Sequence, residues 1–567
     1  MKFQVWSPSA KSVDLVLDSG THPMERDASG WWAKEIPDAG PGTRYSYRVN
    51  GEGPFPDPRS PWQPEGVHGP SVTIDHSQFV WRDDSFQPTP LAEAVIYELH
   101  VGTFTPEGTY PAAADRLGYL RDLGITHVEL MPLASFPGRW GWGYDGAALY
   151  APHPTYGTPD ELKAFVQHAH DLGLCVLLDV VYNHLGPDGN YLACFGPYFT
   201  DRFKTPWGDA VNFDGEYSDE VRAFFIDNAL MWLRDYHFDG LRLDAVHAII
   251  DERAVHFLEM LAERVAELSA ITNRPRVLIA ESDLNNPRLV HSPARGGYGL
   301  DAHWEDDFHH ALHAFFTGER SGYYADFGSL AQVAKALEQG YVLDGGYSIY
   351  RKRAHGRPPI DVPPSQLVVF SQNHDQIGNR ACGERLGHLT DVPTWKAATA
   401  LMLLSPFVPL LFQGEEWGAS TPFQFFTDHH ETLGKLVTEG RRCEFKSFGW
   451  AAEEIPDPQS EETFRRSVLR WEEIDEALHA ECLEWHRLLL AVRRTIPPHS
   501  PVEVHFDESA RWLTLRRGSL LAIFNFATSP QPIPIPLGDW QPRLFDPSNE
   551  ETVFPANSTT LLTAPVP

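Results

Sequence analysis

Cysteine is scarce in this sequence and follows no pattern. The 567 residues contain five cysteines, an odd number without paired spacing: Cys175, Cys194, Cys382, Cys443 and Cys482. A disulfide framework like that of small secreted proteins is therefore not indicated. We expect a reducing compartment, and hence a cytoplasmic location.

Long hydrophobic runs are also missing. The most apolar long stretch, residues 401–412 (LMLLSPFVPLLF), is too short to span a bilayer and contains two prolines. The first residues of the chain contain no apolar run of the signal-peptide type. We therefore expect a soluble protein that does not partner a membrane.

Basic residues are few in relation to acidic ones. Lysine and arginine number 46 and aspartate and glutamate 77, so the formal net charge is −31. A field of this sign repels phosphate backbones and anionic lipids, which argues against nucleic acid and membrane surfaces as partners. A neutral ligand is little affected. Apolar residues (42%) and charged residues (22%) are at ordinary levels for a globular protein, so a large core is available.

Hydrophobic patterning divides the chain into three regions. In residues 44–49 (RYSYRV), Tyr45, Tyr47 and Val49 share one face, which is the period-two alternation of a half-buried strand. Similar short strands, separated by glycines, predict a β-sandwich over residues 1–88. Residues 499–567 again read as strands, with a hairpin turning at Arg517–Gly518, and predict a C-terminal β domain.

The middle region alternates short apolar runs with helical stretches. Eight candidate strands lie at residues 94–101, 127–133, 175–184, 240–246, 276–282, 299–308, 366–375 and 408–416. One helix between them is well marked, because Thr158 and Glu161 match a capping box, Pro159 takes the first helical position and Gly173 the C-terminal cap. This pattern predicts the α/β class, with a (β/α)₈ TIM barrel over residues 89–498.

Polar residues collect where several of these strands end, which is where a barrel carries its functional groups. The third strand ends in Asp179, Asn183 and His184, the fourth carries Arg242 and Asp244, the fifth ends in Glu281, and the seventh in His374 and Asp375. Each acid alone could be an ordinary ion-pair partner. Four acids, an arginine and two histidines at the ends of four strands instead favour an active site.

Two of the carboxyl groups stand in contrasting surroundings. Arg242 and Asp244 share one face of their strand, so the guanidinium should keep Asp244 ionised. Glu281 follows the apolar run VLIA, a setting that tends to raise the pKa of a carboxyl group. Such a pair suits a retaining glycosidase, with one nucleophile and one proton donor about 5–5.5 Å apart.

Four segments resemble the signature regions of glycoside hydrolase family thirteen, the α-amylase family. They are DVVYNH (179–184), GLRLDAVH (240–247), IAES (279–282) and QNHDQ (372–376), in the family's order. The resemblance implies that Asp244 is the nucleophile, Glu281 the general acid/base and Asp375 the transition-state stabiliser. It also implies that Tyr144, in WGWGYDG, stacks under the sugar at the cleavage point, and that His184, Arg242 and His374 line that subsite.

Longer segments resemble the malto-oligosyltrehalose trehalohydrolase family, from DPRSPWQPEGVHGPS (57–71) through DDFHHALH (306–313) to IPDPQSEETFRRS (455–467). The implied reaction is hydrolysis of the α-1,4 bond between a malto-oligosaccharide and its terminal trehalose. The implied substrate-binding residues are Tyr144, His184, Arg242, His247, Asp306, Asp307, Phe308, His309, His310, His374 and Gln376.

No cofactor or metal is expected. Asn183 matches a calcium-binding position of many amylases, but the sequence offers no full set of oxygen ligands. His309 and His313 have the i, i+4 spacing of a zinc site, although a substrate subsite explains their segment better.

Three other functions remain open on this scaffold. They are a glucan branching enzyme, a non-catalytic glucan-binding protein, and a plain maltogenic or pullulan-cleaving amylase. The binding-protein reading is disfavoured because Asp244, Glu281 and Asp375 are all present. Oligomeric state and preferred chain length are not predicted.

Overall fold

A computed structural model describes residues 1–445, 450, 455–544 and 553–564 of the chain. Two antiparallel sheets form the N-terminal domain. Its strands are β1 (Lys2–Trp6), β2 (Val13–Leu17), β3 (Gly20–Pro23), β4 (Glu25–Arg26), β5 (Trp31–Glu35), β6 (Arg44–Val49), β7 (Glu52–Phe55) and β8 (Ser71–Val72). The sheets have the strand orders β1-β5-β4 and β3-β2-β6-β7, with β8 also pairing β6. The predicted N-terminal β-sandwich is confirmed.

Eight parallel strands then close into a barrel. The strands of this region are β9 (Ile96–Leu99), β10 (His127–Leu130), β11 (Ala134–Ser135), β12 (Ala148–Pro152), β13 (Cys175–Val180), β14 (Phe199–Thr205), β15 (Gly208–Val211), β16 (Gly240–Leu243), β17 (Val277–Ala280), β18 (Ala302–Trp304), β19 (Tyr347–Ser348), β20 (Arg353–Ala354), β21 (Leu367–Phe370) and β22 (Val408–Phe412). The barrel order is β9-β10-β13-β16-β17-β18-β21-β22, closed by β22 on β9. The predicted (β/α)₈ barrel is confirmed.

Helices surround the barrel. They are α1 (Val101–Phe104), α2 (Tyr110–Ala114), α3 (Leu117–Leu123), α4 (Pro159–Asp171), α5 (Leu192–Phe195), α6 (Ser218–Asp235), α7 (Phe257–Thr272), α8 (Asp306–Thr317), α9 (Leu330–Gln339), α10 (His374–Gly378), α11 (Leu386–Leu389), α12 (Val392–Leu404), α13 (Glu431–Phe445), α14 (Glu461–Arg466) and α15 (Ala477–Arg494). Helix α4 begins with the predicted capping box of Thr158 and Glu161, and Gly173 lies just after its end with φ +80°. No helix in these described residues is long and apolar enough to cross a membrane.

Both β domains pack against the barrel. In the N-terminal domain, Ser7 Oγ donates to the carbonyl oxygen of Phe195 at 2.7 Å. The C-terminal strands are β23 (Val502–Asp507), β24 (Trp512–Arg517), β25 (Leu520–Asn525), β26 (Gln531–Pro532), β27 (Gln541–Leu544), β28 (Val553–Phe554) and β29 (Ser558–Thr563). The predicted hairpin is β24–β25, and Arg517 from it donates to the carbonyl oxygen of Ser405 at 2.5 Å. The predicted domain 499–567 includes residues 545–552 and 565–567, which lie outside the described residues, and the domain boundaries stay predictions.

Candidate active site

Arg242 organises the candidate site at the C-terminal ends of the barrel strands. Leu241 and Leu243 of β16 pack in the core outside the barrel, so Arg242 between them points inward. Its Nη1 donates to both carboxylate oxygens of Asp179, at 2.9 and 2.8 Å, and to Asp244 Oδ1 at 2.9 Å. The guanidinium also lies 4.3 Å from the ring centroid of Trp304. The predicted pairing of Arg242 with Asp244 at the strand end is therefore present in the structure.

Glu281 lies beside this pair, at the end of β17. Its Oε2 is 3.7 Å from Arg242 Nη2 and accepts a hydrogen bond from the backbone N–H of Ala245 at 2.5 Å. Ala245 has left-handed backbone angles (φ 38°, ψ 51°), which are strained for a residue with a Cβ and turn its N–H toward Glu281. Burial and the nearby carboxylates, Asp244 among them, raise the pKa of Glu281 well above its usual range, although Arg242 opposes this.

A chain of hydrogen bonds joins the third and seventh strands through Tyr144. The Tyr144 hydroxyl donates to Asp179 Oδ2 at 2.6 Å and lies 2.8 Å from His374 Nε2. The two rings are stacked, with centroids 5.1 Å apart. On its other side, His374 Nδ1 lies 2.5 Å from a carboxyl oxygen of Glu98, a buried residue of β9. Buried polar groups thus hold Tyr144, the residue that is predicted to stack under the sugar.

Two more acids, Asp375 and Asp306, lie at the same end of the barrel, which is called the mouth below. Asp375 is exposed on α10, where it accepts from Asn379 Nδ2 at 2.6 Å, one turn further along the helix. Asp306 Oδ1 accepts from Gln376 Nε2 at 3.3 Å. Burial and the neighbouring carboxylates raise the pKa of Asp306 to about 7. Asp306 and Gln376 are therefore brought together with the catalytic candidates, as the resemblance implied.

His184, another residue of the predicted subsite, lies against the backbone of Tyr144. Its Nε2 contacts the Tyr144 carbonyl oxygen at 3.1 Å, and burial lowers the pKa of the imidazole. Its ring stacks on Trp207, with centroids 4.6 Å apart and an interplanar angle of 5°. Trp207 is 47% exposed at the tip of the β14–β15 hairpin. His247 is exposed and contributes to the field at Asp283.

The remaining predicted residues on α8 have other contacts. Asp307 Oδ2 accepts from Asn285 Nδ2 and from the backbone N–H groups of Val342 and Leu343, at 2.7, 2.8 and 2.6 Å. Phe308 is fully buried in the core. These contacts favour a structural role for Asp307 and Phe308 rather than the substrate-lining role that the resemblance implied.

The two histidines that follow are also buried. His309 uses Nδ1 on the carbonyl oxygen of Ser371 at 2.7 Å and Nε2 on the hydroxyl of Tyr324 at 3.0 Å. His310 packs against Tyr323, and burial lowers the pKa of its imidazole to about 3. Both ring nitrogens of His309 are engaged inside the protein, which again favours a structural role.

The sequence relates Asn183 to a calcium site and the pair His309 and His313 to a zinc site. Both side-chain amide atoms of Asn183 are buried and have no hydrogen-bond partner. In the ranges that the structure covers, no cluster of three or more His, Cys, Asp or Glu residues could hold a metal ion. Calcium binds six to eight oxygen ligands, of which the buried side-chain oxygen of Asn183 could supply one.

The sequence patterns do not predict three residues that lie at this site: Glu98, Trp304 and Trp207. Glu98 interrupts an otherwise apolar strand, and a carboxylate facing into a barrel is the signal that could have found it. Trp304, under Arg242, reads as an ordinary core residue. Trp207 contacts His184 across a hairpin, and nothing in its local pattern indicates that contact.

Family models match all three regions of the chain. "Alpha amylase, catalytic domain" matches residues 83–194, "Carbohydrate-binding module 48 (Isoamylase N-terminal domain)" matches residues 1–63, and "Domain of unknown function (DUF3459)" matches residues 498–561.

Individual proteins match nearly the whole length. The malto-oligosyltrehalose trehalohydrolase of Arthrobacter ramosus is 51% identical over 542 residues, which cover 94% of each chain. The protein of the same name from Saccharolobus solfataricus is 43% identical over 529 residues, 93% of this chain and 91% of its own. A crystal structure from Salmonella typhimurium, named "Putative alpha Amylase", is 38% identical with a TM-score of 0.92 and covers 99% of this chain and 97% of that one.

Proposed function

The chain belongs to the malto-oligosyltrehalose trehalohydrolase family, and we propose that it hydrolyses the α-1,4-glucosidic bond joining a malto-oligosaccharide to its terminal trehalose. The products are free trehalose and the shortened malto-oligosaccharide. The enzyme is a glycosidase with the α-amylase barrel. Its substrate is a neutral glucan, so the acidic surface does not oppose binding.

The reaction takes place in two steps with retention at the anomeric carbon. Glu281 starts protonated, because burial raises its pKa, and gives its proton to the leaving glycosidic oxygen. Asp244 attacks the anomeric carbon and forms a glycosyl-enzyme intermediate. Glu281, now a carboxylate, takes a proton from water, and that water releases the sugar from Asp244.

Other groups of the mouth act on the sugar and the nucleophile. Arg242 orients Asp244 through the hydrogen bond at 2.9 Å and draws Asp179 into the same cluster. Tyr144 supplies the flat surface under the sugar ring. Asp375, exposed at the mouth, binds sugar hydroxyls and favours the oxocarbenium-like transition state.

One observation carries this proposal: a single guanidinium touches both carboxylates that the chemistry needs. Arg242 donates to Asp244 and lies 3.7 Å from Glu281, and burial raises the pKa of Glu281 well above its usual range. A carboxyl group with a raised pKa beside a second one that accepts from a guanidinium matches an acid and a nucleophile. The trehalose-specific part of the proposal is supported by the relatives' names.

Product analysis tests the proposal. The protein is incubated with a malto-oligosaccharide that ends in trehalose and, separately, with an uncapped chain of equal length. We expect free trehalose from the first and little cleavage of the second. Equal cleavage of both would indicate a general amylase, and new α-1,6 linkages would indicate a branching enzyme. Absence of any product would favour a glucan-binding protein.

The cytoplasmic location is part of the same proposal. The odd number of cysteines and their lack of paired spacing support a reducing compartment.

A further inference from the structure

Glu98 has both carboxyl oxygens directed at one residue, His374. Its Oε2 accepts from the His374 backbone N–H at 3.0 Å, and its Oε1 lies 2.5 Å from His374 Nδ1. Glu98 itself is 1% exposed on β9, the first barrel strand. His374 begins α10, beyond the seventh barrel strand, so this contact ties two distant parts of the chain together.

The second ring nitrogen of His374 indicates where the protons lie. Tyr144 has one hydroxyl proton, which it donates to Asp179 Oδ2 at 2.6 Å. Asp179 is an acceptor there, since Arg242 donates to both of its oxygens. The contact of 2.8 Å between Tyr144 Oη and His374 Nε2 is then a hydrogen bond only if Nε2 carries a proton. With a proton also on Nδ1, facing Glu98, the ring is an imidazolium.

The surrounding charges agree with that state. Burial disfavours the charged ring, and so does Arg242, but Glu98 and Asp375 outweigh them, and the pKa of His374 is raised. The titratable and charged groups that face His374 come from the barrel strands, the loop before β12 and its own helix: Glu98, His100, Tyr144, Asp179, Arg242 and Asp375.

We propose that Glu98 is a positioning residue, which holds His374 as an imidazolium and through it fixes the hydroxyl of Tyr144 under the substrate. Glu98 does not touch the sugar. The inference deepens the proposed function and rests on it for the identity of the substrate.

Glu129 provides a matched control. It is paired with Glu98 in register on the neighbouring strand β10 and is fully buried. Neither of its carboxyl oxygens has a hydrogen-bond partner, and burial together with Glu98 raises the pKa of Glu129 well above its usual range. Glu129→Gln therefore exchanges one neutral buried side chain for another, without a contact to His374.

Glu98→Gln removes the charge but keeps the contacts. The amide oxygen of the new side chain can accept from the His374 backbone N–H, while its amide nitrogen donates to Nδ1. A neutral ring with its proton on Nε2 then keeps every hydrogen bond, including the one to Tyr144. The variant thus separates the charge of His374 from its position.

The experiment measures kcat/KM on the trehalose-capped substrate from pH 4.5 to 8.5 for the wild type, Glu98→Gln and Glu129→Gln. We expect the wild-type to Glu98→Gln ratio to grow about tenfold or more with rising pH. His374 then loses its proton at lower pH, and a neutral ring holds the Tyr144 hydroxyl more weakly than the charge-assisted hydrogen bond of the imidazolium does. The ratio for Glu129→Gln should stay flat. Because both variants retain Glu281, loss of the proton donor cannot produce this difference.

A repetition in the His374→Asn background completes the test. There Glu98→Gln should no longer change the pH dependence, because the two residues act as one unit. A wild-type to Glu98→Gln ratio that is independent of pH, or an equal effect in the His374→Asn background, would overturn the proposal and leave Glu98 a packing residue.

A direct measurement does not depend on the substrate or on the folding of any Glu98 variant. In ¹⁵N-histidine-labelled wild-type protein at pH 7.5, the signals missing from His374→Asn identify His374. Two protonated ring nitrogens are expected, and a neutral ring would overturn the proposal. If the wild type releases no trehalose from the capped chain, the proposed function fails while this measurement still decides the state of His374.

Discussion

The substitution Asp83→Asn should loosen a buried charge cluster at the N-terminal ends of the barrel strands. Asp83 lies in the connector between the N-terminal domain and the barrel and is 5% exposed. Its Oδ2 lies 2.8 Å from His170 Nδ1, 2.9 Å from His237 Nδ1 and 2.7 Å from Arg274 Nη1. On the other side, Asp239 contacts His170 at 3.0 Å and Arg274 at 2.8 Å. The connector is thus bound to three barrel segments by charge.

The expected loss in the free energy of unfolding follows from the buried charges that the substitution leaves without a partner. Removal of one partner from a buried ion-pair network costs about 3–5 kcal/mol, because the remaining charges stay buried without compensation. A cooperative unit of about 400 residues has an unfolding entropy near 0.8 kcal/mol/K, so the melting temperature should fall by about 4–6 °C.

The effect should depend on pH in a defined direction. Burial alone would lower the pKa of His170, but Asp239 and Asp83 outweigh it and raise the pKa. The histidine's contribution to stability is therefore complete below its ordinary pKa of 6.5 and is lost as the pH rises through the raised value. The pKa values of Asp83 and Asp239 are lowered by their partners against burial, so the carboxylate contribution is present above 3.8 and is lost in acid. The destabilisation should be largest between about pH 4 and 6.5.

Differential scanning calorimetry at one fixed scan rate checks this, since a protein of this size can unfold irreversibly. Asp84→Asn is the matched control, because Asp84 is the next residue and is exposed. A melting temperature for Asp83→Asn within about 1 °C of wild type at pH 5.5, or an equal drop in Asp84→Asn, would refute the reasoning.

Three further predictions concern the active site. Asp244→Ala should abolish cleavage while binding of the trehalose-capped chain, measured by calorimetry, stays within a few-fold; retained turnover would mean that the nucleophile is misassigned. Tyr144→Phe should lower kcat/KM about ten- to a hundredfold, because Asp179 and His374 lose a shared partner, and an unchanged kcat/KM would contradict that linkage. Glu281→Gln should lose far more activity on the α-1,4 bond than on a maltosyl fluoride, whose leaving group needs no proton, and equal losses would argue against Glu281 as the acid.

The sequence predicts the barrel well because each strand is a short apolar run between helical stretches. The sixth strand is the instructive case. The predicted range was 299–308, and the strand covers only Ala302–Trp304. Asp301 accepts from the backbone N–H of Leu278 at 2.8 Å, and Glu305 caps α8 through its side chain. Polar side chains thus limit the strand at both ends, an effect that hydrophobic patterning does not register.

At the active site, predictability follows the distance along the chain. Arg242 and Asp244 are two residues apart, so alternation alone places them on one face. The contact of Glu98 with His374 depends on closure of the barrel, which joins residues 276 positions apart. The resemblance implied that the whole segment at the start of α8 binds substrate. In the helix, Asp306 lies beside Gln376 among the other acids, whereas Phe308 is buried in the core. A motif match cannot make that separation, because consecutive helix residues point in different directions.

Acidic and basic side chains cluster at both ends of the barrel, but the ratio of acids to cations differs between the two ends. At the N-terminal ends of the strands, Asp83 and Asp239 contact Arg274, His170 and His237, and the pKa values of both carboxyl groups are lowered. At the C-terminal ends of the strands the carboxyl groups outnumber the cations, and Glu281 and Asp306 have raised pKa values. A carboxylate with full compensation stabilises the fold but cannot exchange a proton near neutral pH, whereas one with too few cations can. The excess of acids over cations therefore supports the proposal that catalysis takes place at the C-terminal ends of the strands, and sequence spacing alone does not reveal that difference.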